Sequence, residues 1–238
     1  MNFLSGLKNF LELSIDTSTR FASVAISAKG EIQSQLSWRS KRNHSIELMP
    51  AIREVFRINS ISATDLDAVF VARGPGSFSA IRVGMSIAKA IASGVNIPIV
   101  GISTLLLEVF PFIGLKEKII GLVPAGRGRV YTGTFRHDGS QDSDYKLLVL
   151  QEEPLQADSN SLFCGESVVD LVSEGYLEET NLTPNMPAPT RLPSVLASIG
   201  YGKLHEGDYE NVEMLEPIYV YSAQIDSAEK NRLSKRPS

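Results

Sequence analysis

The chain has 238 residues, 43% hydrophobic and 21% charged, with 23 Lys and Arg against 27 Asp and Glu for a formal net charge of −4. That length accommodates one large domain or two small ones with a substantial core. The acidic balance excludes a chain whose own field gathers nucleic acid, which takes clustered Lys and Arg. A single cysteine, Cys164, excludes an internal disulfide and a cysteine-cluster metal site, and it points to a reducing cytoplasm.

Residues 1–10 read as a short extension, because Lys8 and Asn9 interrupt the apolar stretch and no basic leader precedes it. No uninterrupted apolar run reaches the roughly 18 residues of a membrane span. The local basic stretches, Arg39 with Lys41 and Arg42 and the tail "KNRLSKRPS", read as solvated segments.

Beyond the extension, β-prone runs at 11–15, 21–27 and 31–37 are separated by the turn-forming clusters "DTSTR" and "AKGE", which predicts a meander of three antiparallel strands. After "KRNHS", Ile46, Leu48, Met49, Ile52, Val55 and Phe56 recur at helical spacing and predict a helix over 45–57. "LDAVFVA" reads as a buried strand, 79–94 as a helix and "IPIVGI" as another strand, with Ser103 or Thr104 capping the helix that follows.

Near residue 118 the pattern starts again. Laid over the first unit, Ala125 falls opposite Asp16, Arg129 opposite Arg20, and "VYTGTF" opposite "FASVAI". This predicts two related α/β halves, each opening with three antiparallel strands. "SLFCG" then reads as a short strand, "ESVVDLVSEGY" as a short helix, and "NLTPNMPAPTRLP" as a connector whose prolines bar a helix interior. A helix resumes at Ser194, weakened by Gly200 and Gly202.

Two local patterns bear on chemistry. Strand, Gly-Pro-Gly turn and helix, as in "FVARGPGSFSAIRVG", suits an anion, because glycines admit a ligand close to the main chain and the first helical turn offers unpaired N–H groups. Gly74, Gly76 and Ser77, with Ser77 at the N-cap, are the candidate phosphate contacts, although the spacing is neither a Walker A loop nor a dinucleotide fingerprint, and a structural corner needs the same residues. Asp16, followed by Thr17 and Ser18 at a strand end, could hold a magnesium-bound phosphate; an Asx or Ser/Thr turn would use the same side chains. The histidines, His44, His137 and His205, show no zinc or iron spacing, and no serine lies in a nucleophile elbow. His44 reads as a capping or packing residue, and no catalytic or metal-binding residue is expected.

The helix over 79–94 carries its polar residues Ser79, Arg82, Ser86, Lys89 and Ser93 at steps of 3, 4, 3 and 4, a single narrow stripe on an apolar cylinder. Gly84, Ala88 and Ala92 form a small-residue row that would admit another helix. Either a second helix of the same chain or a partner protein is expected to cover the extra apolar surface.

Taken in order, "LSIDTSTRFASVAI", "RNHSIELMPAI", "ARGPGSFSAIRVGMSIAKAIA", "IPIVGISTL", "GRVYTGTF" and "EPIYVY" resemble the bacterial TsaB (YeaZ) family, well over about residues 11 to 136 and loosely beyond. The resemblance implies an α/β fold of the actin/Hsp70/sugar-kinase (ASKHA) type with two related lobes. These would be 11–107, the partner-binding lobe, and 108–215, with 216–238 a C-terminal segment and polar tail. It further implies a cytoplasmic, non-catalytic subunit that binds and activates a TsaD-like catalytic paralogue, together with the ATPase TsaE. The complex places a threonylcarbamoyl group on the adenosine beside the anticodon of ANN-decoding tRNAs. ATP is then used by the partners, no cofactor is required by this chain, and the chain alone forms a homodimer. The shared surface would lie on the first-lobe helices, with Ile46, Met49, Ile52, Arg53, Arg82, Met85 and Lys89 as candidate contacts.

Two positions depart from the family pattern. Where members usually read "GSFTGLR", this chain has "GSFSAIR", so Ala80 replaces a glycine, which a helix tolerates. Where members commonly read "DAR" before an "EVY" strand, "PAGRGRVY" puts Ala125 at the aspartate position and removes a carboxylate that a two-lobed phosphotransferase would supply. An ATP-dependent phosphotransferase centred on Asp16, Thr17 and Gly74 to Ser77 is the rival reading. A hydrolase would need a nucleophile that the sequence does not display.

Overall fold

The computed structural model describes residues 10–155, 159–178 and 188–220. Of these, one compact unit holds the residues up to Leu107 together with Arg191–Pro217, and a second holds Glu108–Thr190 and the residues from Ile218.

The first unit is built on a five-stranded sheet of order β3-β2-β1-β4-β5, comprising β1 (Leu11–Asp16), β2 (Phe21–Ala28), β3 (Glu31–Arg39), β4 (Ala68–Ala72) and β5 (Ile99–Ile102). β1, β2 and β3 form the antiparallel meander, and β4 and β5 continue parallel to β1. Alternation along the strands sorts side chains between two faces. Leu13, Ile15, Val24, Ile26, Val69 and Val71 meet helices α1 (His44–Asn59) and α2 (Phe78–Val95) in one core. On the other face Ala68, Phe70, Ala72, Val100 and Ile102 pack against Val195, Leu196 and Ile199 of α5 (Pro193–His205). Only the outer strand β3 alternates between exposed and half-buried residues, as an edge should.

This second core explains why the chain returns. The resemblance placed 108–215 in the second lobe, whereas α5 supplies the cover for β4 and β5, so residues 191–217 group with the first unit. A sheet with parallel central strands needs both faces covered.

The second unit repeats the plan. Its sheet runs β8-β7-β6-β9, with β6 (Lys118–Pro124), β7 (Arg129–Arg136) and β8 (Lys146–Val149) antiparallel and β9 (Ser161–Cys164) parallel to β6. Ile120, Leu122, Val130, Leu148 and Phe163 form its core with Val168 and Leu171 of α4 (Val168–Ser173). The alignment of "FASVAI" with "VYTGTF" thus sets β2 opposite β7, and four strands of each sheet share order and direction, with no counterpart of β5 in the second among the described residues. Cys164 is buried, and burial pushes its thiol well above the ordinary range, aided by the nearby Glu108 carboxylate. It is a packing residue.

Between β5 and the second sheet lies the six-residue helix α3 (Thr104–Val109). Ser103 caps it, its hydroxyl accepting the Leu106 N–H at 3.4 Å. The N-terminal extension up to residue 9, most of the proline-rich connector and the polar tail from residue 221 fall outside the described residues.

Candidate functional site

The Asp16–Thr19 turn between β1 and β2 and the Gly-Pro-Gly corner after β4 meet in the first unit, and they meet directly. The Ser77 N–H donates to the Ser18 carbonyl at 2.7 Å, and the Gly74 carbonyl accepts the Thr104 N–H at 2.8 Å. A Cβ on Gly76 would lie 2.2 Å from the Ser18 carbonyl oxygen, so glycine is needed for backbone to touch backbone there. Ser77 occupies the N-cap position of α2 but makes no side-chain capping bond; its carbonyl accepts from Ile81 N–H at 2.9 Å. Where a phosphate cradle would need open N–H groups aimed at a ligand, Ser77 N–H already holds the neighbouring turn.

The carboxylate is occupied as well. Asp16 Oδ1 accepts the Ser18 N–H at 2.8 Å and the Ser18 hydroxyl at 2.5 Å, an Asx turn. Asp16 Oδ2 accepts the Arg191 Nε–H at 2.7 Å, with side chains only 5% and 3% exposed. Arg191 Nη2 donates to the Thr19 hydroxyl at 2.6 Å and to the Phe21 carbonyl at 3.2 Å. The cation facing Asp16 is therefore supplied by the chain. Arg191 carried no local signal: it lies among connector prolines, and neither spacing nor periodicity relates it to a strand end 175 positions away.

The same turn seats both helices of this face. Thr17 donates its hydroxyl to the Ala80 carbonyl in the first turn of α2 at 2.7 Å. A Cβ on Gly84 would come within 2.3 Å of that hydroxyl oxygen. The Gly84, Ala88, Ala92 row, expected to admit another helix, therefore faces the turn and the unit's own core. His44 is buried at the start of α1, where its Nε2–H donates to the Thr19 carbonyl at 2.9 Å, the packing role expected of it.

The candidate contact residues divide into three groups. Ile46 and Met49 are 70% and 39% exposed on α1, and Arg53 and Arg82 are exposed on α1 and α2. Ile52 and Met85, 1% and 3% exposed, belong to the core, because each falls on the sheet-facing side of its helix. Lys89 is engaged within the chain, its Nζ donating to the carbonyls of Glu213 and Leu215 at 3.2 and 3.1 Å. Phe78, which sequence reasoning passed over, is 53% exposed with the Arg82 guanidinium 4.8 Å above its ring.

The apolar excess of α2 is answered largely from within. Val83, Ile87 and Ile91 are half-buried against the core that includes α1 residues and Leu215. The stripe of Ser79, Arg82, Ser86 and Ser93 is exposed. By length and mean hydropathy α2 is just apolar enough to cross a membrane, yet Ala80, Ile81, Gly84, Met85, Ala88 and Ala92 are buried in the unit.

Two mixed sheets that share the order of four strands, each flanked by helices, define the class: an α/β protein of the ASKHA type. The fold matches YeaZ from Pseudomonas aeruginosa with a TM-score of 0.72 at 20% identity, covering 89% of this chain and 100% of that one. It also matches the activator of the 2-hydroxyisocaproyl-CoA dehydratase from Clostridium difficile, solved with bound ADPNP, with a TM-score of 0.50 at 10% identity over 89% of this chain. The family profile described as "TsaD: tRNA N6-adenosine threonylcarbamoyltransferase" matches residues 36–146. Two relatives named tRNA threonylcarbamoyladenosine biosynthesis protein TsaB are more specific. That of Escherichia coli is 30% identical over 87% of this chain and 93% of its own length, and that of Bacillus subtilis is 28% identical over 90% and 96%. The chain belongs to the TsaB family of tRNA threonylcarbamoyladenosine biosynthesis.

Proposed function

We propose that the chain is the scaffold and activator subunit of a tRNA threonylcarbamoyltransferase. It binds a TsaD-like catalytic paralogue, acts together with a TsaE-like ATPase, and supports modification of the adenosine beside the anticodon in ANN-decoding tRNAs. Catalysis, metal and ATP use belong to the partners. The chain itself is non-catalytic, cytoplasmic, and pairs with a second copy when the catalytic subunit is absent.

The observation that carries this reading is the outward face of α1 and α2, where Ile46, Met49 and Phe78 present apolar surface beside Arg53 and Arg82. Apolar anchors ringed by polar and cationic residues are the composition of a protein-binding surface. Ile52 and Met85 support that face from beneath. The occupation of Asp16 by Arg191 and of Ser77 N–H by Ser18 speaks against the rival phosphotransferase reading.

The test is reconstitution of tRNA modification from purified TsaD-like and TsaE-like subunits with this chain. Ile46→Asp combined with Arg82→Glu should abolish both co-elution with the catalytic subunit and modification. Undiminished activity of that variant would refute the interface.

A further inference from the structure

The turn at residues 16–19 is a small hub. Ser18 holds the start of α2 through its carbonyl, Thr17 holds the first turn of α2 through its hydroxyl, and Thr19 holds the start of α1 through its carbonyl. Both helices of the exposed face therefore rest on four residues at a strand end.

What holds the turn itself is Arg191. Its guanidinium spans three acceptors on the turn and the strand after it: Asp16 Oδ2, Thr19 Oγ1 and the Phe21 carbonyl. The Asp16 carboxylate, the Thr19 hydroxyl and the Phe21 carbonyl together suit a cation, and a planar guanidinium meets several acceptors at fixed angles, which an ammonium does not. Removing it would leave a buried carboxylate without its counter-charge.

We propose that Arg191 is a positioning residue for the α1–α2 face: as the resident cation of Asp16, it keeps the turn in the form that seats both helices. The inference rests on the scaffold reading, since the face it positions is the one assigned to the catalytic partner. It adds that a residue 175 positions along the chain from the turn, and on neither helix of that face, controls the affinity.

The experiment measures affinity of the full-length chain for the TsaD-like subunit by calorimetry, with folding of each variant checked by circular dichroism and thermal melting. Arg191→Ala should bind about ten-fold more weakly or worse, as expected when a well-packed surface loses its order. Millimolar guanidinium should restore much of the loss by refilling the vacated place, whereas equal urea should not. Arg191→Lys, which keeps the charge but reaches fewer acceptors, should fall between wild type and Arg191→Ala. Wild-type affinity in a folded Arg191→Ala, or equal rescue by urea, overturns the proposal. If Arg191→Ala does not fold, Arg191→Lys carries the test, and wild-type affinity there overturns it. Ile46→Asp separates the two readings. If it too binds normally, the scaffold reading fails; if it loses binding while the Arg191 variants keep it, only this proposal does.

Discussion

Asp16 and Arg191 lie 175 residues apart and form a buried ion pair at 2.7 Å, each side chain at least nine-tenths enclosed. The pair joins the end of β1 to the residue at which the chain re-enters the first unit.

Breaking this pair from one side leaves a buried charge. Asp16→Asn or Arg191→Ala should each lower stability by roughly 3–5 kcal/mol, read as a fall in the denaturation midpoint. The double variant should cost well below the sum of the two, because the second change removes the charge that the first stranded. Additivity in that cycle would mean that the two side chains do not interact.

Exposed and buried members of the candidate interface should separate cleanly by stability. Ile46→Asp and Arg82→Glu should move the unfolding free energy by no more than about 0.5 kcal/mol, while a well-placed apolar anchor such as Ile46 should cost partner binding about 2 kcal/mol or more. Ile52→Ala, by contrast, should destabilise the fold by about 2–5 kcal/mol. Parallel thermal melts and binding isotherms check both halves.

Gly84 faces Thr17 with no room for a side chain. Gly84→Ala should destabilise by about 1–3 kcal/mol through overpacking. Adding Thr17→Ala should recover part of that loss, since the hydroxyl is the nearest obstacle at 2.3 Å. A double-mutant cycle in denaturant reads the coupling.

Glu12 is fully buried on the α5 side of β1, where it takes the Ser27 hydroxyl at 2.6 Å and the Gly30 N–H at 3.3 Å on Oε2, while Oε1 is buried with no hydrogen-bond partner among the described residues. Burial raises its pKa above the ordinary carboxylate value, against the lowering effect of those hydrogen bonds. Below its unfolded pKa the group is protonated in both states. As pH climbs from there through the raised folded pKa, the native state binds the more protons, so stability falls. Urea unfolding from pH 4 upward should show that decline for wild type relative to Glu12→Gln, which lacks this titration; parallel curves would contradict it.

The local pattern of the sequence determined a great deal. β-prone runs and turn clusters marked β1 to β3, helical spacing marked α1 and α2, and the restart near residue 118 disclosed a second half opening with three antiparallel strands. Each of these is a property of neighbouring residues, set by backbone periodicity and turn chemistry, and so is written in short windows. Family motifs did the rest for the pathway, since they too are contiguous.

What only the tertiary structure decided was which distant residues meet. Sequence could count the apolar residues of α2 but could not assign their cover to α1 and Leu215, nor sort Ile52 and Met85 inside from Ile46 and Met49 outside. It could suggest Asp16 for a cation but not name Arg191 as the one that arrives, or show that α5 returns to close the opposite face of the sheet. Such pairings depend on how the chain closes over long loops, and no spacing within a helix or strand encodes them.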